Sequence, residues 1–288
     1  MLVLATDLAP VSSQAADLVP VPVPASEPNF ISSWLDMVTR SQAAQPHWIT
    51  PLAVTTPRLE QEYRFDIFST NQGNGTHVNN YGGTRGLEFI PTYDTQITVG
   101  VPGWIDQRTP RGREIEGWGD MSLLFKYRFL SANEEQGNYI FTGFLQLSVP
   151  TGANMISNDL YIVQPTLAFG KGWGDFDILA TISQQYPVAS IGDSPKAISN
   201  FGDPVLANVV FQYHLLEYFW PELEFNYTYW PNGIHEGLNQ VLMTMGVVVG
   251  RIPIAGRSKL IIGAGYQTAL TSNPVINNNW ILTARVTF

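Results

Sequence analysis

The sequence predicts an all-β fold: a closed, up-and-down antiparallel transmembrane β-barrel of about twelve strands, preceded by an irregular N-terminal segment. Three observations carry this reading. Hydropathy alternates with a period of two from Leu59 to Phe288, charged residues keep to one parity of that alternation, and long and short connections alternate along the chain. Composition narrows the field first. Charged residues make up only 14% of the 288, while aromatics reach 12%, which is unlike an ordinary soluble domain. Apolar runs fall short of the length a membrane-spanning helix needs, and 44% hydrophobic content excludes a disordered chain. A net charge of -9 argues against a nucleic-acid partner. With no cysteine there is no disulfide framework and no thiolate ligand for a metal.

Residues 1–56 stand apart from the rest. Ser13, Gln14, Ala15 and Ala16 have the small-residue look of a secretory cleavage site, although the basic stretch that opens an export signal is missing, so the segment reads as a signal remnant. Leu18 to Pro28 is punctuated by proline and should be extended. Ile31, Trp34, Leu35 and Val38 then fall at i, i+3, i+4 and i+7 behind Asn29 as a cap, which predicts a short amphipathic helix. Such a helix either plugs the bore or simply packs on a neighbouring surface. The barrel is expected over residues 57–288.

Strands are expected to start near Leu59, Gly86, Thr95, Asp120, Asn138, Leu160, Asp175, Pro204, Glu222, Gln240, Lys259 and Val275. In the first, Leu59, Tyr63, Phe65 and Ile67 oppose Glu60, Glu62, Arg64 and Asp66. Later strands repeat the division: Glu88, Lys126, Arg128, Asp177, Glu222, Glu224, Lys259 and Arg285 all fall opposite the apolar set. A basic group facing lipid at the bilayer midplane costs roughly 2–4 kcal/mol, so the charged parity must face a lumen. Phe144, Ile162, Leu206, Val210, Leu242 and Val248 share that lumen parity. A soluble sandwich or lipocalin-like barrel would instead expose this mixed face and bury the apolar one, so it fits less well. Gln61 and Gln184 sit on the lipid parity as misfits, and Pro165, which cannot donate to a ladder, predicts a bulge or frayed pairing beside it.

Connections after the first, third and seventh strands are expected to be long (residues 71–85, 103–119 and 188–203), and those after the second, fourth, sixth, eighth and tenth tight. Long loops at one end and tight turns at the other are the habit of outer-membrane barrels. Trp104, Trp118, Tyr186 and Trp230 near the long loops, and Trp173, Tyr218, Phe219, Trp220 and Phe288 near the short ones, suit two interfacial girdles. Open edges are not tolerated in lipid, so the sheet must close.

Local motifs resemble a known group. The end of the chain, with Trp280, Val286 and terminal Phe288 in alternation, looks like the signal read by the bacterial barrel-assembly machinery. Gly117-Trp118-Gly119-Asp120 leading to Lys126-Tyr127-Arg128, then Val149-Pro150-Thr151-Gly152, and Thr55 to Glu62 opening the first strand, resemble the outer-membrane family of the MetA pathway of phenol degradation. That resemblance covers roughly residues 55–288. It implies a transporter-like barrel in the outer membrane of a Gram-negative envelope, passing small, often aromatic or apolar, compounds.

The expected working surface is the lumen, lined by Glu62, Arg64, Asp66, Glu88, Lys126, Arg128, Gln146, Gln212, His214, Glu224, Trp230 and Arg285. About twelve strands leave a narrow bore. Closing the barrel is expected to set Arg285 near Glu60 or Glu62, and a hairpin centred near Phe219 to set His214 across from Glu224. Such pairs either rigidify the wall or tune selectivity. No cofactor or metal is expected, and no enzyme: His47 precedes the barrel, His77 and His235 fall in predicted loops, and His214 has no nucleophile at hand. The expected partners are outer-membrane lipid, the assembly machinery and a small-molecule solute diffusing passively. The alternative is a non-transporting barrel serving as scaffold or surface-interaction module.

Overall fold

Period-two patterning becomes a single antiparallel sheet in the computed structural model, which describes residues 29–83, 85–192 and 194–288. The signal-like residues 13–16 and the proline-rich stretch 18–28 lie outside the described residues. Strand segments are β1 (Glu62–Gln72), β2 (His77–Gly82), β3 (Gly86–Thr92), β4 (Thr95–Gly100), β5 (Trp104–Arg108), β6 (Glu114–Trp118), β7 (Met121–Ala132), β8 (Tyr139–Val149), β9 (Leu160–Trp173), β10 (Phe176–Gln184), β11 (Tyr186–Ser190), β12 (Val205–Tyr213), β13 (Phe219–Tyr229), β14 (Asn239–Ala255), β15 (Ser258–Ala269) and β16 (Ile276–Thr287). Helix α1 (Phe30–Ala43) precedes them and α2 (Pro195–Phe201) falls between β11 and β12. Four staves are broken in two: β2 with β3, β4 with β5, β6 with β7, and β10 with β11. Twelve staves therefore make the wall. It closes where β1 pairs β16 from Glu62↔Thr287 to Asn71↔Asn278.

The parity division holds physically. Arg64, Asp66, Lys126, Glu224 and Arg285 are at most 1% exposed, whereas Phe125, Leu145, Phe169, Ile182 and Met245 on the other face are 46–56% exposed. That face is the hydrocarbon band of an outer-membrane barrel. Lys171 takes the outward parity at the inner end of β9. There its ammonium donates to the Gly137 carbonyl and lies over the Trp173 ring, the snorkelling expected at an interface.

Several expectations are corrected. Residues 71–85 and 103–119 are not loops: staves β1/β2 and β5/β6 continue upward as hairpins whose turns span only 73–76 and 109–113, so His77 opens a strand. The frayed pairing expected beside Pro165 is present: β9 itself runs unbroken, with Pro165 opposite Leu145 on β8, but its pairing with the next stave breaks between β10 and β11, where the missing N–H leaves nothing to bond. Gln61 is fully buried and accepts from the Ile90 amide, because β1 begins one residue later. Trp220 belongs to the lumen core rather than to the girdle.

Helix α1 forms as expected, with the Asn29 side chain accepting from the Ser32 amide. Its buried face is Val38 with Trp34 and Met37, packed on Leu59 and Ile90 at the short-turn end. Ile31 is 62% exposed and takes no part. Trp34 donates to the Ile90 carbonyl at 2.7 Å and Ser41 to that of Tyr93 at 2.5 Å. The helix thus lies across the inner mouth.

Candidate functional site

Beyond α1, residues 44–61 turn into the lumen and thread it in irregular conformation. Trp48, Ile49, Leu52 and Val54 of this segment form one core with inward wall residues Ile140, Leu179, Val210, Val248, Ile261 and Ile281. Wall glycines make room for the bulk. A β-carbon on Gly170 of β9 would stand 2.5 Å from the Trp48 ring, and one on Gly246 of β14 or Gly265 of β15 would stand 2.3 or 2.7 Å from Leu52. The inserted side chains are therefore knobs seated in glycine sockets.

An irregular segment inside a barrel has no ladder to satisfy its peptide groups, so the wall must do it. Arg64 donates to the carbonyls of Pro51 and Leu52, Arg285 to Thr50 and Pro51, Arg251 to His47 and Trp48, and Arg85 to Ala53, over 2.5–3.2 Å. Lys126 bonds the carbonyls of Thr56 and Arg58. Carboxylates take the amides: Glu222 from Leu52 at 2.9 Å, and Glu224 from Ala53 and Val54 at 2.8 Å each. Arg128, Ser131 and Asn133 bond the carbonyls of Ser41, Ala44 and Ala43, the unpaired end of α1. Buried charge is tolerated here because nearly every group is hydrogen-bonded. Glu62 and Asp177 are the exceptions, buried without a hydrogen-bond partner among the described residues.

The lumen residues expected from sequence separate into levels. Glu62, Arg64, Asp66, Glu88, Lys126, Arg128, Gln212, Glu224 and Arg285 surround the plug and are buried. Arg64 pairs Asp66 at 2.8 Å, and Gln212 donates to Glu222 at 2.7 Å. Gln146 and Trp230 lie above, in an outer vestibule of about 580 Å³ floored by Ala53, Val54 and Thr55. His214 leaves the wall altogether: it sits in the turn after β12 and lines an inner-mouth chamber of about 400 Å³ with His47, Glu134 and Arg251.

One expected pairing holds in part and one is corrected. Arg285 lies within charge range of Glu62, as expected, but in register it stands opposite Arg64, and the two like charges coexist because plug carbonyls take both guanidiniums. The β12–β13 hairpin is centred two residues earlier than expected, pairing Gln212 with Glu222, so His214 stacks on Trp220 at 4.2 Å rather than facing Glu224. Sequence reasoning missed the plug contacts themselves. The available signal was the set of inward glycines on neighbouring strands, Gly170, Gly246 and Gly265.

No family model and no curated protein matches the chain. Solved structures do resemble it. The COG4313 outer membrane channel from Pseudomonas putida F1 superposes with a TM-score of 0.56 at 12% identity, covering 79% of this chain and 94% of that one. The translocator domain of autotransporter NalP from Neisseria meningitidis gives 0.45 at 10% identity, over 79% and 86%. The KdgM porin gives 0.44 at 8%, over 78% and 99%. The fold is that of bacterial outer-membrane β-barrels, and the lipid-facing girth places this chain in that membrane.

Proposed function

We propose that the protein is an outer-membrane channel for passive diffusion of small molecules, held shut at rest by its own N-terminal segment. The observation that carries this is the lumen's division: an outer chamber and an inner one, separated by a chain segment that the wall grips through its peptide groups. A scaffold has no use for two solvent-open chambers on one axis. A cleft of about 90 Å³ lined by Thr55, Arg85, Glu88 and Gln146 adjoins the vestibule beside the plug. Inward Phe144, Leu206, Leu242 and Trp230 favour solutes with an apolar part. Together with the motifs at residues 55–62, 117–128 and 149–152, they support a place in the family of the MetA pathway of phenol degradation, with small aromatic compounds as cargo. Among the described residues no nucleophile and base meet in either chamber, and the reading does not include catalysis.

Single-channel recording in planar bilayers tests this. The full chain should show small, intermittent currents, and the chain without residues 16–56 a larger and steadier conductance. Equal conductance from both would overturn the channel reading. Gly170→Val, which evicts Trp48 while keeping the chain whole, covers the case of a truncated barrel that fails to fold.

A further inference from the structure

The outer vestibule carries a feature that the channel reading does not use. Among the described residues of a chain with 24 acidic and 15 basic side chains, no aspartate, glutamate, lysine or arginine lines this chamber. The lumen charges lie below it, most of them bonded to the plug or to a neighbour on the wall. Amides, hydroxyls and rings take their place. The amides on the β10, β12, β13 and β15 side are linked to one another: Gln267 donates to Asn226, Asn226 to Asn208, and Asn208 to Thr181, at 2.8–3.0 Å. Beside them, where β10 passes into β11, Gln185 donates to Gln164 of β9 at 2.8 Å, and Gln164 to Ser183 of β10 at 3.2 Å. This band is therefore neutral and stiff, with its dipoles already committed and no counter-ion to offer.

An ion entering a blind chamber of this size sheds much of its water against low-dielectric walls, and no opposite charge replaces that hydration. A neutral molecule with a ring face and a hydroxyl loses little. It can lie against Trp230, which stands with its ring centroid 5.4 Å from that of His235, and bond to Gln146, whose side chain has no hydrogen-bond partner among the described residues. Gln240 accepts from the Ile276 amide, which leaves its own NH2 group for a ligand.

We infer that the vestibule is a binding site that selects solutes by absence of charge, taking the neutral member of a series and refusing both ions. The inference rests on the channel reading for its biological purpose but not for its test. Benzyl alcohol, benzoate and benzylammonium share one ring and differ in charge at neutral pH. Their binding to the full chain in nanodiscs is measured by equilibrium dialysis, and the signal of Gln146→Trp, which fills the chamber, is subtracted to remove partition into lipid. Benzyl alcohol should bind saturably, about tenfold or more tighter than either ion. Asn226→Asp should raise benzylammonium affinity by about tenfold and leave benzoate weak, and Thr228→Lys should do the reverse. Either ion binding the unaltered protein as tightly as the alcohol would overturn the inference, as would no saturable binding of any of the three. Selective binding in a protein whose conductance ignores the plug would overturn the channel reading alone. Plug-dependent conductance with equal binding of all three would overturn this inference alone.

Discussion

Gly170 shows how one missing side chain shapes the lumen. It is an inward position on a strand where Leu or Val would be expected, and the space it leaves is filled by Trp48. Gly170→Val should expel that ring, while Trp48→Ala should weaken plug docking by about 3–5 kcal/mol, the usual loss for deleting a buried large aromatic. Limited proteolysis of residues 44–61 would register both changes, since a seated plug is protected and a loose one is cut. At the inner mouth the His47–Glu134 contact ties the plug to the turn after β7 at 2.8 Å. Partial burial pushes the Glu134 carboxyl upward, but hydrogen bonds from the His47 ring and amide outweigh it and hold the group down at about 2. A depressed carboxylate stabilises above its unfolded value, 4.5, and that contribution fades as pH falls towards about 2. Both side chains are half-exposed, so the contribution is about 1 kcal/mol or less. Plug protection should therefore decline across this acid window, and Glu134→Gln should flatten the decline.

The plug is an element without secondary structure, and its stability comes from the wall rather than from itself. Glu224 alone satisfies two of its amides. Glu224→Ala leaves both unpaired, which should weaken docking by about 1–3 kcal/mol and show as more frequent full-conductance bursts in bilayers. Strands tell a different story. Their phase was legible because lipid on one side forces apolar residues onto every second position, and each stave displays that pressure within its own sequence. What the strands did not display was their full height. The hairpins β1/β2 and β5/β6 rise out of the bilayer, where no lipid selects for alternation, and Gly and Asn in those stretches read as loop.

For the whole molecule the governing asymmetry is between two adjacent residues on one strand. Leu145 is 50% exposed on the outer face while Gln146 lines the vestibule. Leu145→Arg should destabilise the barrel by about 2–4 kcal/mol in urea titrations of folding into phospholipid vesicles, and Gln146→Arg should change it little. Similar losses at both sites would mean that the two faces are not lipid and lumen.

The sequence by itself determined the barrel: strand number, phase, the short-turn end and most of the inward charges, though not Arg85 or Arg251. Those properties follow from a periodic boundary between water and hydrocarbon, which each strand meets separately. Only the tertiary structure decided what the inward charges do. Arg285, expected near Glu60 or Glu62, donates together with Arg64 to peptide carbonyls of residues 50–52. Carbonyls are the same in every residue, so a segment recognised through its backbone leaves no pattern of side chains to read, and its partners emerge only when closure of the sheet brings them around it.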